Sequence, residues 1–280
     1  MQLGFKWNTE CEFGTLPAVL AILIDRIDRF SQLQTDVIEW ACPVPSFGPL
    51  LGARVATLGI NPSNREFVDE FGSVLGRSRQ RLPTLASLGL DSWSRVDAEH
   101  LKVIIDACQS YFAVRPYGAW FDRLDDLLRA IDVSYYDSSY GACHLDLIPY
   151  ATSRKWAQLP SKQRQQLLHG CSDVLGLLLR DSRIRLLILN GRSVLHRFEE
   201  MAGIKLQASE MVAWSLPRSK RTPVPGFAYS ASVDCIAGIH LSHPLLVLGF
   251  NHNLQSSYGV SREVVREMRM WVAEAAKDAL

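Results

Sequence analysis

Residues 55–67 read VATLGINPSNREF: an apolar run of strand length that breaks at Gly59-Ile60-Asn61-Pro62-Ser63 into a polar turn closed by Phe67. Proline cannot donate to a sheet ladder, so Asn-Pro marks the end of a buried strand rather than its middle. Three more apolar runs, 143–148, 186–189 and 245–250, share this form. They carry Asp146 within the second run, Asn190-Gly191 after the third and Asn251-His252-Asn253 after the fourth. Helical apolar spacing fills the intervals at 98–112, 117–130 and 161–179, with a short helix after Gly191. The alternation predicts an α/β fold: three layers, α/β/α, around a central, mainly parallel four-stranded sheet. In such sheets ligands bind at the carboxyl ends of the strands.

Outward from the strands the chain is plainer. Residues 16–40 have helical apolar spacing, and ACPVPSFGPLLG at 41–52 then breaks any helix with three prolines and two glycines. Residues 1–52 are therefore expected as an N-terminal helix and loop packed on an α/β domain spanning 53–280. Near 210–240 the pattern MVAWSL, PRSKRTPVPG, FAYSASV predicts a hairpin insertion with a basic tip. A last amphipathic helix over 261–276 is opened by Ser261, with Glu263 in its first turn.

With 48 % hydrophobic and 21 % charged residues, the 280-residue chain is an ordinary globular protein with ample core. Its formal net charge of +1 creates no field over the whole molecule, so a polyanion site has to be a local patch. Candidate patches are Arg77, Arg79 and Arg81, and Arg218, Lys220 and Arg221 on the hairpin tip. The six cysteines form no C-x-x-C pair, which argues against a zinc ribbon or iron–sulfur cage and suits reduced thiols in the cytoplasm. MQLGFKWNTECEF lacks a basic start followed by an apolar core, and no run approaches the roughly 18 apolar residues of a membrane helix. Neither export nor a membrane anchor is expected.

Asn, Asp and His at strand ends, with no Cys or Lys nucleophile and no metal spacing, fit a hydrolase that positions water better than one using covalent catalysis. Competing motifs fail. GINPSN lacks the Lys-Ser/Thr of a phosphate loop, and no G-x-G-x-x-G follows a strand. GRSVL lacks the closing glycine of an esterase nucleophile elbow.

Taken in order, LGINPS, HLDLIPYAT, LLILNGRSV and GFNHNLQSS resemble the four strand-end motifs of the uracil-DNA glycosylase superfamily. GINP is close to the first motif of its mismatch-specific thymine and uracil branch. The resemblance covers residue 50 to the end of the chain. It implies a glycosylase-like fold and a monofunctional enzyme that flips a base and hydrolyses its N-glycosidic bond. That enzyme works as a monomer on DNA, without cofactor or metal. Asn61 then matches the residue that positions water, and Ile60, Pro62 and Ser63 line the base pocket. His252 matches the donor that stabilises the departing base, although His-Asn-Leu replaces the usual His-Pro-Ser. Phe67 or Phe71 stacks on the flipped base, and Asn190 and Asn253 border it. Leu254 resembles the wedge that fills the gap in the duplex. Gln255, Arg154, Arg218, Lys220 and Arg221 are the expected DNA contacts.

Asp146 stands where many members of the superfamily carry Asn. A carboxylate only accepts, so it repels the carbonyl O4 of uracil and can accept from the exocyclic amine of cytosine. Excision of plain cytosine would be ruinous to the host. The expected substrate is therefore a modified cytosine, hydroxymethylated or glucosylated as in phage DNA, and the role antiphage defence. The alternatives are a repair glycosylase for uracil or mismatched thymine, a non-catalytic module that binds modified DNA, and an Asp146 that caps backbone N–H groups or pairs with Arg154.

Overall fold

The computed structural model describes residues 15–114, 118–137, 141–218, 221–255 and 258–280. Along them run α1 (Leu16–Gln32), β1 (Val55–Gly59), α2 (Leu85–Leu88), α3 (Ala98–Gln109), α4 (Tyr111–Val114), α5 (Gly118–Leu128), β2 (Cys143–Asp146), α6 (Ser161–Gly170) and α7 (Val174–Leu179). There follow β3 (Leu186–Asn190), α8 (Arg192–Ala202), β4 (Gln207–Arg218), β5 (Arg221–Ile236), β6 (Ile239–Phe250) and α9 (Arg262–Ala275).

The sheet has six strands in the order β2-β1-β3-β6-β5-β4. Its first four are parallel, joined by β1–β2, β1–β3 and β3–β6 ladders. Every residue of β1, β2 and β3 is buried, as continuous apolar runs covered on both faces require. The expectation of a four-stranded, mainly parallel sheet is corrected by β4 and β5. The region expected as an insertion instead continues the sheet past β6 in antiparallel fashion. The cause is a two-residue turn, Ala237 (φ 51°) and Gly238 (φ 81°), whose left-handed backbone matches strand twist and leads β5 directly into β6. β6 thus starts at Ile239 rather than at 245.

Register gives this hairpin a direction. Ala228 of β5 lies opposite Phe250, the last residue of β6, so 221–227 and their β4 partners run on beyond the carboxyl end of the parallel strands. The overhanging arm is anchored by Trp214, which is fully buried and packs edge-on against Trp271 of α9 with centroids 5.5 Å apart.

α1 buries Leu16, Val19, Leu20, Leu23, Ile24, Ile27 and Phe30. It ends at Gln32, short of the expected 40, and Gln34 adopts a left-handed φ of 53°. The following strap lies along the outer edge of β2, where Phe47 and His144 exchange N–H···O bonds of 2.8 Å. A sheet edge that would otherwise present unpaired backbone groups is thereby covered. The single helix expected over 161–179 is two, α6 and α7. The break follows Gly170, where a Cβ would come 2.7 Å from the Phe30 ring, and it lets Asp173 meet Arg26 at 2.7 Å. No helix among the described residues is long and apolar enough to cross a membrane.

Candidate active site

A cavity of about 490 Å³ opens at the carboxyl ends of β1 and β2. Its place follows from the quoted stretch, because β1 stops at Gly59 and the chain turns through Ile60, Asn61, Pro62 and Ser63, all of which line the cavity. Gly59 is required there. A Cβ would collide with Asp146 Oδ1 and come 2.8 Å from His144 Nε2, so the absent side chain makes room for two polar groups of the neighbouring strand.

Asn61 is fastened by one end of its amide. Nδ2 donates to Thr152 Oγ1 (3.0 Å), the Pro62 carbonyl (3.1 Å) and the Tyr150 carbonyl (3.4 Å), linking the end of β1 to the segment after β2. Oδ1 accepts no hydrogen bond from the described residues. The side chain thus offers an oriented acceptor to the cavity.

Asp146 and His144 come from β2 and are both buried, with Nε2 and Oδ1 3.6 Å apart. Below them His144 Nδ1 and Thr57 Oγ1 share a 2.6 Å hydrogen bond, and Thr57 bonds in turn to the Tyr135 hydroxyl. Three aromatic rings surround His144: Trp120, Phe121 and Phe47, with centroids at 5.0, 5.4 and 5.9 Å. Together with Trp156 they give the cavity flat apolar walls. Arg154 and Lys155 lie at its rim. Arg154 pairs with Asp36, Nε at 3.0 Å and Nη2 at 2.5 Å, and not with Asp146.

Glu66 completes the lining. It ends a single 3-10 turn, Asn64–Glu66, capped by Ser63 Oγ, and is 3 % exposed. The Tyr111 hydroxyl donates to its Oε2 at 2.8 Å, and Arg81 Nη1 lies 3.8 Å from the same oxygen. Burial pushes the carboxyl up to about 7, Asp146 adds to that push, and Tyr111 and Arg81 oppose it.

The other expected site residues lie elsewhere. Phe67 is core, edge-on to Trp40, and Phe71 is 85 % exposed on a turn whose Phe71 and Ser73 N–H groups donate to Asp69 Oδ1. Neither lines the cavity. Asn190 is buried and donates to Gln255 Oε1, while its own Oδ1 accepts from Leu254 N at 3.0 Å. Asn253 Oδ1 accepts from Gln255 N. Leu254 is 2 % exposed, too deep to act as a wedge in this conformation. Gln255 donates to the Trp120 carbonyl at 3.1 Å and so braces the cavity wall from behind.

His252 faces the arm rather than the cavity. Its Nε2 donates to the Trp214 carbonyl at 2.8 Å, and burial holds the imidazole below its ordinary range, in the neutral form. Asn251 acts alongside it, accepting from Phe227 N and donating to the Pro225 carbonyl, each at 2.8 Å. The Asn-His pair after β6 therefore buckles the hairpin to the sheet. Arg218 is exposed at the end of β4, while Lys220 and the side chain of Arg221 lie outside the described residues.

Glu66, His144, Phe47, Trp120 and Lys155 belong to the site without having stood out in the sequence. The one available signal was Glu66 itself, a lone carboxylate inside the stretch that ends β1. Among the described residues no group of His, Cys, Asp and Glu is arranged to hold a metal ion. No protein-family model matches the chain, and no curated protein matches it in sequence.

Proposed function

We propose that the chain is a monofunctional DNA glycosylase that takes a modified cytosine out of the duplex and hydrolyses its N-glycosidic bond, leaving an abasic site. The observation that carries this reading is Asn61, whose amide is tied down through Nδ2 while Oδ1 stays open in the cavity that Asp146 also lines. An amide is too weak a base to ionise water, but it can hold one in line with a sugar carbon that is becoming cationic. Such positioning contributes when the group is fixed before the reaction begins. Flat aromatic walls suit a base, and the Asp146 carboxylate can accept from the exocyclic amine of cytosine. A volume of about 490 Å³ also leaves room for a substituent on the ring.

The surroundings supply a place for DNA. Each connection leaving a parallel strand at this end carries a cation: Arg65 after β1, Arg154 and Lys155 after β2, Arg192 after β3 and Arg262 after β6. The overhanging arm adds Arg218. Of these, Arg154 and Lys155 line the cavity itself and are placed to meet phosphates at its mouth. Antiphage defence is the setting in which such an activity on phage-type bases would be useful.

The test is abasic-site formation, read by alkaline strand cleavage, on matched duplexes carrying uracil, mismatched thymine, cytosine, hydroxymethylcytosine or glucosylated hydroxymethylcytosine. Cleavage at a modified cytosine is expected, with Asn61→Ala slower by roughly 100-fold or more and duplex binding retained. Cleavage at uracil alone would make the enzyme a repair glycosylase, and binding without cleavage a recognition module.

A further inference from the structure

Glu66 is a buried ionisable group of the cavity that water-holding by Asn61 and base-reading by Asp146 leave unused. Two carboxyls from different elements, Glu66 after β1 and Asp146 on β2, line one cavity, and the charge of Asp146 disfavours a second charge on Glu66. The side chain of Glu66 is held rather than mobile. Tyr111 from α4 and Arg81 from the segment before α2 both address Oε2, which leaves Oε1 for a guest in the cavity. The remaining titratable or charged groups at this cavity are His144, deeper on β2, and Arg154 and Lys155 at the rim. Lys155 forms no ion pair among the described residues, and Arg154 is paired with Asp36.

We propose that Glu66 is the general acid of the reaction, delivering the proton on its carboxyl group to the ring N3 or O2 of the departing base while Asp146 accepts from its exocyclic amine. This rests on the glycosylase reading above and assigns the pair its division of labour. A cytosine edge presents an amine donor beside a ring acceptor, and Asp146 as acceptor beside Glu66 as donor matches it. As the C1′–N1 bond breaks, its electron pair passes to the ring, which takes the Glu66 proton and leaves as a neutral base. The water held by Asn61 bonds to C1′ and gives a proton to solvent, and solvent returns one to Glu66. Cytosine is a poor anionic leaving group, so protonation at departure is where an acid contributes most. Burial, which leaves the carboxyl about half protonated near neutral pH, provides the supply.

The experiment is single-turnover excision by the full chain between pH 5.5 and 9, for wild type and Glu66→Gln, on a duplex carrying the modified cytosine that is cleaved. The wild-type rate is expected to be level on the acid side and to fall about tenfold per pH unit above about 7. Glu66→Gln is expected to be roughly 100-fold slower or more and to lack that alkaline limb. A variant within a few-fold of wild type, an unchanged limb, or a wild-type rate that rises through pH 7 overturns the assignment while leaving the glycosylase reading intact. The wild-type profile decides the matter alone if the variant does not fold. A wild type that leaves no abasic site on any duplex sinks both.

Discussion

Gly59 and Glu66 lie seven positions apart on the same turn, and they shape the cavity in opposite ways. One withdraws a side chain so that Asp146 and His144 can enter, and the other inserts a carboxyl where water is scarce. The second has a thermodynamic signature of its own. Below the ordinary glutamate value of 4.5 the group is neutral in folded and unfolded chains alike. Between 4.5 and about 7 the folded protein keeps a proton that the unfolded chain has released. Stability therefore declines across that window, by up to about 3 kcal/mol once pH has passed 7. Glu66→Gln cannot ionise and is expected to exceed wild type in stability at pH 8 but not at pH 4.5. Urea unfolding at the two pH values measures this, and an equal difference at both would mean that burial of the charge is not what strains the site.

At the scale of elements, the connection after β6 separates appearance from role. His252 stands where a catalytic histidine would be sought, yet it joins Asn251 in holding the β4–β5 arm. His252→Ala would leave the buried Trp214 carbonyl without its donor, a loss of roughly 1–3 kcal/mol. Excision per folded molecule is expected to stay within a few-fold of wild type. Lost turnover at unchanged melting temperature would return the imidazole to the chemistry. The parallel strands were legible because each is a continuous apolar run, and β1 and β3 end within a residue of their expected bounds. β4 and β5 were legible as a hairpin with a basic tip, but not as part of the central sheet: most of β4 is exposed and two prolines interrupt β5, so no continuous apolar run marked them as neighbours of β6. The break between α6 and α7 was invisible for another reason: it accompanies the close packing of Gly170 on Phe30, a tertiary contact far apart in sequence. The site divides the same way. Asn61 and Asp146 announced themselves at strand ends, whereas Phe47 reaches the cavity on a strap that only the fold lays against β2.

For the molecule as a whole, near-neutral charge conceals an arrangement by position. A parallel sheet sends its strand ends to one side, and the connections that leave it there carry Arg65, Arg154, Lys155, Arg192 and Arg262, of which Arg154 and Lys155 line the cavity. Duplex binding should then weaken steeply with salt. Each phosphate neutralised contributes about −0.9 to the slope of log K against log salt, so engagement of most of these cations gives a slope between about −3 and −5. A slope near zero in a fluorescence-anisotropy titration would mean that these cations do not touch the backbone. The sheet order also bears on how the chain finds its shape. β4, β5 and β6 are hairpin-joined neighbours, whereas β1 must meet Cys143 of β2 and Leu186 of β3 across long intervening segments. Contacts between distant segments close slowly, so on refolding the arm with its buckle assembles early and the cavity late. Half-folded molecules would thus present a finished, exposed β4 edge before any pocket exists, and this is the stage at which strand-to-strand aggregation competes with folding.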